Sequence, residues 1–288
     1  MQRLTDEIRY FLEKNGFRCS VLLRDGFEVI VVTTLDGRHQ KTVLPLRIQA
    51  RSIEEAAENS EDAWRCIEFI RDIEGYPLVI TEDRWHRQQT MTQTRLLAHL
   101  ELFSQAYARN CEVRKIDKAL AKTFLNENHS YGHAACRYCY GLFQKRATGH
   151  NESQMKGKLL AVATFSNARA WKKGEQIIRS YEWTRYASLP DLRINGGMGK
   201  VLKVFIEEVN PDDIMSYADL EWSEGTVYKA LGFKTEQDKK PVDFIIDRLT
   251  WERIPIRPGT ADAGIPEDNL LFRNFGSKKF RLKLTDYE

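Results

Sequence analysis

No hydrophobic run in the 288-residue chain approaches the roughly 18–20 apolar residues that a bilayer span requires, so a membrane protein is not expected. The opening, MQRLTDEIRYFLEKNG, places Asp6, Glu7 and Glu13 where a secretory leader would carry its apolar stretch, and export is not expected either. Internal repeats and low-complexity tracts are lacking. Cysteines are few and odd in number (Cys19, Cys66, Cys111, Cys136 and Cys139), spread over a long chain. That pattern argues against a disulfide scaffold and for a reducing cytoplasm as the expected compartment. A strong surplus of one charge is also missing: 44 basic and 41 acidic side chains leave +3. Global charge therefore neither supports nor excludes a nucleic-acid partner.

What the chain does contain is a globular composition, 42% hydrophobic and 30% charged, at a length suited to two modest domains or one large one. Residues 1–110 hold 15 basic and 17 acidic side chains, and residues 111–288 hold 29 and 24, so the basic excess lies in the C-terminal part. In the N-terminal part Leu4, Ile8, Phe11 and Leu12 recur at helical spacing until Asn15-Gly16. RCSVLLR and FEVIVVTTL read as strands joined by the hairpin dipeptide Asp25-Gly26, and KTVLPLRIQ as a third strand. Ser52 precedes two glutamates and an apolar helical pattern, as an N-cap does. YPLVITEDRW reads as a short strand and TQTRLLAHLELFSQAYA as a helix, closing an α/β module near Asn110.

From Cys111 onward strand-like and helical segments alternate. DKALAKTFLNENH is a helix capped by Asp117; CYGLFQK, KLLAVATFS and QIIRSYEWTRYAS are strands, the first two joined by the polar stretch RATGHNESQMKG. A glycine-rich turn, LRINGGMG, leads into the helix KVLKVFIEEV, and DIMSYADLEW, GTVYKALGF and VDFIID follow as strand, helix and strand. Beyond Trp251 a Pro/Gly-rich stretch precedes NLLFRNFGSKKFRLKL, which reads as a terminal hairpin. The expected fold class is α+β: a small N-terminal α/β domain (1–110), a mostly antiparallel sheet flanked by helices (111–250) and a basic C-terminal β extension (251–288).

Chemistry concentrates at the strand–turn–helix of residues 178–209. Gly196, Gly197 and Gly199 tolerate φ > 0 and leave room beside the backbone, while the following helix points free N–H groups and its positive end at that space. Such a place suits a pyrophosphate, with Arg193 and Lys200 adding charge. The ordinary alternative is a glycine turn that joins a strand to a helix. Downstream, Tyr228-Lys-Ala-Leu-Gly232-Phe233 follows the strand IMSYADLEW.

Together these features resemble the GNAT acyltransferase superfamily, in which a turn of the form R/Q-x-x-G-x-G/A grips the coenzyme A pyrophosphate. In that fold the next strand splays away to admit the pantetheine. Arg193-x-x-Gly196 matches the first half of that turn; Met198 stands where a small residue is expected, and Gly197-x-Gly199 offers the spacing one place later. Tyr228 matches the family tyrosine that protonates the leaving thiolate; its alternative is a packed aromatic before a C-capping Gly232. Within the superfamily the chain is similar to phage Mom-like DNA-modification proteins. The matching stretches are Asn128-His129-Ser130-Tyr131-Gly132, Tyr181-Glu182-Trp183-Thr184-Arg185-Tyr186, Gly196-Gly197, and Ser216-Tyr217-Ala218-Asp219 with Trp222. The resemblance covers residues 107–285. EDRW at 82–85 resembles the end of a nuclease-like domain of phage relatives, although the acidic cluster of such a nuclease is not evident.

The resemblance implies an acyl-CoA donor such as acetyl-CoA, and an acceptor amine: on a nucleic-acid base if Mom-like chemistry applies, on a small molecule or protein if the chain is an ordinary GNAT. Asp219, His129 and Tyr228 are the expected chemical groups, with His129 and Asp219 as weak metal-ligand candidates. Each has an ordinary alternative: Asp219 as a structural acceptor, His129 as a helix C-terminal cation. Arg185 either clamps a phosphate or pairs with Glu182 or Glu221. The string His129, His133, Cys136, Cys139 has zinc-ligand chemistry but lacks a second half-site, and a buried strand start explains Cys139 as well. Lys278, Lys279 and Arg281, interleaved with phenylalanines, suit nucleic-acid phosphates or a lysine-protected edge strand. The reading from sequence is a cytoplasmic group transferase using an acyl-CoA-type donor, with DNA as a further partner. Its alternative is a non-catalytic DNA-binding or phage/defence-associated module that retains the fold.

Overall fold

The structure is a computed structural model and describes residues 3–145, 157–256 and 268–287. The polar stretch RATGHNESQMKG and the Pro/Gly-rich stretch after Trp251 fall largely outside those residues. Contacts divide the chain into two compact units. The first comprises Met1–Glu101, Ala218–Gly225 and Gln237–Lys278, and the second comprises Leu102–Tyr217, Thr226–Glu236 and Lys279–Glu288. The sequence suggested three segments in simple succession; the units instead interleave along the chain.

In the first unit, helix α1 (Leu4–Lys14) buries Leu4, Ile8 and Leu12, the stripe its spacing predicts. Strands β1 (Arg18–Arg24) and β2 (Phe27–Thr33) form the expected hairpin, with Asp25 at φ 45° and Gly26 at φ 82°. β3 (Gln40–Leu46) adds antiparallel to β2, and β4 (Leu78–Thr81) adds parallel to β3 after the crossover helix α2 (Ile53–Glu74). Ser52 caps α2 by accepting from the Glu55 amide at 3.1 Å, which contributes about 1 kcal/mol to such a helix. EDRW belongs to a short helix, α3 (Glu82–Arg87), rather than to the end of a strand.

The segment predicted as one helix from Thr92 to Ala108 is shorter than expected. Helix α4 (Gln89–His99) ends where Glu101 turns to φ 69°, and Ser104–Tyr107 is strand β5 in the second unit. No glycine or proline marks that stop, so the pattern of apolar residues ran straight through it. The C-terminal segment also departs from expectation. Leu270–Arg273 (β16) pairs with Asp243–Ile246 (β14), which pairs in turn with Arg253–Pro255 (β15), and Leu271 bridges to Ala50. Ser277–Lys283 (β17) joins a different sheet, so the predicted terminal hairpin does not form.

The second unit is built on an eight-stranded sheet that contains β6 (Cys111–Lys115), β7 (Tyr138–Gln144), β8 (Leu159–Phe165), β10 (Gln176–Ser188), β12 (Asp213–Asp219), β17 and β13 (Lys234–Thr235). β9 (Arg169–Lys173) pairs with the first half of β10. Apart from the parallel pair β10–β12, the pairings in register here are antiparallel, as the α+β reading expects. Helix α5 (Lys118–Asn128) is capped by Asp117, which accepts from the Leu120 amide at 2.8 Å. Helix α6 (Gly197–Val209) lies on the sheet through Phe205, whose ring stacks on Phe165 at 3.8 Å and meets Tyr138, Tyr140 and Tyr181 edge-on. The short helix α7 (Thr226–Ala230) follows β12, and the residues read as the turn LRIN form strand β11 (Leu192–Asn195), parallel to β5. Among the described residues no helix is long and apolar enough to cross a membrane.

Gly276 is the residue on which the divergence of β16 from β17 turns. It sits at φ 76°, and a Cβ there would run into the carbonyl oxygen of Lys239. Gly276→Ala is expected to destabilise the protein by about 1–3 kcal/mol, read as a lower denaturation midpoint at unchanged slope. Unaltered stability would mean that the turn is not constrained in this way.

Candidate functional site

Within the eight-stranded sheet β10 and β12 pair parallel, and that pair is brief. Register runs through Ser180↔Asp213, Tyr181↔Ile214 and Glu182↔Met215, and then stops, although both strands continue. β10 bulges between Trp183 and Arg185 in its pairing with β8. Past that point the backbone ladder to β12 gives way to a side chain: the Ser216 hydroxyl donates to the Trp183 carbonyl at 3.0 Å. The two strands therefore part from the bulge onward.

The chain leaves β10, passes through β11 and enters α6, so the N-terminus of α6 follows the C-terminal end of β10. In open sheets, ligand crevices form outside the carboxyl ends of strands. Gly196 is the N-cap residue, in the left-handed conformation at φ 76°, and no side chain caps the helix. The first-turn amides of Gly197, Met198 and Gly199 thus have no side-chain acceptor, and the helix dipole adds positive potential there. The other glycines are placed by packing: a Cβ at Gly197 would stand 2.8 Å from the Tyr186 hydroxyl, and one at Gly199 would stand 3.3 Å from Leu231.

The two cations expected beside this turn have different fates. Lys200 directs its ammonium to the carbonyl oxygens of Ala108, at 2.8 Å, and Cys111. It fastens the segment before β6 instead of facing outward. Arg193 is exposed on β11, with its guanidinium 5.3 Å from the centre of the Phe103 ring. A second arginine, Arg109, lies over Tyr107 in the same part of the unit, and nothing in the sequence had singled it out.

Tyr228 projects from α7 toward the parted strands. Its hydroxyl and that of Ser216 are 2.9 Å apart, and its ring stacks on Phe280 and meets Trp183 edge-on. Burial raises the Tyr228 phenol, with the Ser216 hydrogen bond working in the opposite sense. The group stays protonated at neutral pH. Arg185, on the bulge, donates to the carbonyl of Gly132 at 3.0 Å and to that of Thr184 at 2.8 Å. Burial lowers its pKa while Glu182 works to raise it. The carboxylate pairing weighed for Arg185 is replaced by carbonyl contacts, chiefly to the loop after α5. His129 begins that loop as the C-cap of α5, and its Nδ1 accepts from the Tyr131 amide at 3.1 Å. Neutral His129 thus carries its proton on Nε2.

The remaining predicted groups have other surroundings. Asp219 belongs to the first unit, in a buried ionic cluster. Arg84 bonds Glu221 at 2.9 Å and Asp219 at 3.3 Å; Arg253 bonds the other oxygen of Glu221 at 2.7 Å, Thr81 at 2.9 Å and both oxygens of Asp83. Three of the four basic residues of β17 are ion-paired: Lys278 with Glu224, Lys279 with Glu236, and Arg281 with Glu236 and Asp213, while Lys283 donates to the Tyr287 carbonyl at 3.2 Å. Their charge goes into holding β17 in place. Among the described residues no group of three or more His, Cys, Asp or Glu side chains is arranged to hold a metal ion. In the His/Cys string the thiols of Cys136 and Cys139 lie 3.4 Å apart, and burial, reinforced by Cys136, pushes Cys139 up to about 12.

No known family profile matches the chain, and no curated protein matches it. Among solved structures, it is similar to YncA of Salmonella typhimurium, assigned as an acetyltransferase and solved with its cofactor acetyl-CoA. That similarity is 13% identity over 62% of this chain and 96% of that one, at a TM-score of 0.36. A variant of spermidine N-acetyltransferase from Vibrio cholerae is similar at 11% identity, covering 61% and 94% of the two chains, with a TM-score of 0.35. The ribosomal-protein-S5-alanine acetyltransferase of Vibrio fischeri is similar at 13% identity, 62% and 96% coverage and a TM-score of 0.35. Likeness of this degree fixes no residue of the site.

The ionic cluster was not legible in the sequence, because Arg84, Glu221 and Arg253 are brought together from three distant stretches. Burial alone would raise the Glu221 carboxyl, but Arg253 and then Arg84 outweigh it and bring the group down to about 2. Asp219 moves the other way, raised by burial and by Glu221. Stability supplied by Glu221 is therefore complete above its unfolded value near 4.5 and is lost as pH falls toward 2. Glu221→Gln is expected to cost about 3–5 kcal/mol at neutral pH and to flatten that acid limb. Asp219→Asn keeps an acceptor for the Glu221 amide and relieves like-charge repulsion, so it is expected to cost no more than about 1 kcal/mol. Urea titrations between pH 2 and 7 read both, and equal losses for the two variants would refute the assignment.

Proposed function

We propose that the second unit is a GNAT-like group transferase that takes an acyl group from an acyl-CoA-type donor and passes it to an amine. The observation that carries this reading is the parting of β10 and β12 beside an uncapped helix N-terminus. The first-turn amides of α6 fit a pyrophosphate, and Gly196 supplies an N-cap with no side chain to compete for them. Arg193 and Arg109 add positive charge nearby. The gap that opens after Glu182 and Met215 suits a narrow, extended thiol-bearing arm.

A thioester supplies an activated carbonyl. When an amine nitrogen bonds to that carbon, the carbon–sulfur bond breaks and the sulfur leaves with the electron pair. Tyr228, held protonated by burial and positioned by Ser216, gives the leaving sulfur its proton. The amine must lose a proton, and the carboxylate best placed for this is Glu182, at the end of the β10–β12 register and within the electrostatic reach of both Arg185 and Tyr228. Asp219, expected from sequence to fill that role, is engaged by Arg84 and by the Glu221 amide. His129 and Arg185 shape the acceptor side through the loop at Gly132.

A finer reading, in which the acceptor amine lies on a nucleic-acid base as in Mom-like proteins, has one observation in its favour. The hydrogen bond from Arg185 to Gly132 joins the two stretches, Asn128–Gly132 and Tyr181–Tyr186, on which that resemblance rests.

Met198→Glu tests the donor site without loading the fold. Met198 is half-buried in the first turn of α6, where a carboxylate favours the helix but repels a phosphate. Coenzyme A is expected to raise the Tm of the wild type, and Met198→Glu to weaken that binding at least about tenfold while leaving the Tm of the free protein unchanged or higher. Tyr228→Phe is expected to keep coenzyme A binding and to lower kcat about 10²–10⁴-fold, measured as thiol release from acetyl-CoA with polyamines or duplex DNA as acceptor. Absence of any coenzyme A shift in the wild type would overturn the transferase reading and leave the non-catalytic module.

A further inference from the structure

We infer that the two-stranded ribbon formed by β9 and the first half of β10 is a docking element for duplex nucleic acid, inserted into a groove. β9 pairs with β10 alone, and Gln176, Ile177 and Ile178 are in register only with β9, so the ribbon extends beyond the strands that flank the rest of β10. Between Arg169 and Arg179 it carries Arg169, Lys172, Lys173 and Arg179 against a single acid, Glu175.

The free charge is what distinguishes this ribbon from the basic strand β17. Arg169, Lys172 and Lys173 are exposed, and among the described residues none of the three makes an ion pair. Only Arg179 is paired, with Asp212 at 3.4 Å. Alternation along the strands distributes these cations over both faces. Arg169, Trp171 and Lys173 lie on one side, where Trp171 and Lys173 gather on the ring of Tyr287 together with Lys283. Lys172 lies on the other side, opposite Ile177, which is 68% exposed although its neighbour Ile178 is buried at 3%.

Cations on two faces of a ribbon decide between the anionic partners. A flat anionic surface, such as a lipid bilayer, attracts the single face turned toward it. A groove presents a row of phosphates on each wall, and the major groove of B-form DNA, about 12 Å wide, admits a two-stranded ribbon. Lys172 and Arg169 then face opposite walls, and Ile177 adds an apolar contact on the Lys172 side. The inference does not depend on the transfer chemistry, which concerns the other end of β10.

The test uses the full chain and a short fluorescent duplex of arbitrary sequence, with binding read by anisotropy between about 50 and 200 mM salt. Each phosphate contact contributes about −0.9 to the slope of log affinity against log salt. The triple variant Arg169→Gln, Lys172→Gln, Lys173→Gln is expected to bind at least tenfold more weakly and to show a slope shallower by about two to three. Its Tm and its response to coenzyme A are expected to match the wild type, because the three side chains are exposed and none makes an ion pair. Lys278→Gln with Lys279→Gln is expected to leave the slope unchanged. The inference fails if the wild type does not bind the duplex, or if the triple variant keeps wild-type affinity and slope. It also fails if the ribbon charges govern binding to phosphatidylserine vesicles and not to the duplex. A lost coenzyme A shift with intact duplex binding would count against the transferase alone.

Discussion

Glu221 is a carboxylate almost without solvent, and two guanidinium groups are what allow it to stay ionised there. Few interactions ask more of a fold. Arg84 comes from the helix after β4, Glu221 from the turn after β12, and Arg253 from the edge strand of the three-stranded sheet, so the first unit can be complete only when all three stretches meet. The geometry is paired throughout: each oxygen of Glu221 has its own arginine, and Arg253 also spans Asp83 and lies 4.4 Å from the centre of the Phe272 ring. Such a cluster adds little net stability over a well-packed apolar one, but it penalises any arrangement that leaves one member alone. Here it specifies which turn and which strand belong to the first unit. That constraint also accounts for Asp219, whose place at a strand end is equally compatible with chemistry and with architecture until its partners are known.

In the second unit the governing feature is an interruption. A parallel pair that continued past Glu182 and Met215 would close its own backbone ladder and leave no room for anything between the strands. The bulge in β10 ends the ladder, and Ser216 takes up the Trp183 carbonyl that would otherwise be left without a donor. The same hydroxyl meets Tyr228, so the residue that satisfies the broken ladder also positions the phenol. Ending the ladder and placing the phenol are thereby one local solution, and it follows from a hydroxyl at a position where an apolar side chain would serve neither purpose.

Local elements were legible in the sequence wherever one residue type carries the physics. Asp25-Gly26, Ser52, Asp117 and the apolar stripe of α1 needed only neighbouring residues to be read, and the glycine turn into α6 was likewise apparent. Legibility failed where long-range pairing decides. Ser104–Tyr107 looked like the tail of a helix because its strand partner, Leu192–Asn195, lies far along the chain and itself looked like a turn. The β9 segment, RAWKK, has no alternation of apolar residues and is a strand only because β10 lies beside it. At the candidate site, Tyr228 and the glycines were recognisable as types. Glu182 and Ser216 acquired roles only from the register of β10 with β12.

Counting charges along the sequence misplaced the basic surface for a related reason. Between Arg273 and Lys283 there are five cations and no acid, which reads as an open electrostatic face. In the folded chain Arg273 is held in a two-toothed pair by Asp243, and Lys278, Lys279 and Arg281 each face an acid from a different segment. A paired cation presents a dipole to an approaching phosphate and must give up its partner before it can bind. An unpaired one presents its full charge and releases counterions instead. The weaker-looking run in β9, with three such cations, therefore outranks the stronger-looking run in β17. What matters for recognition is the charge left over after the fold has satisfied itself, and three cations of that remainder lie close together on the ribbon.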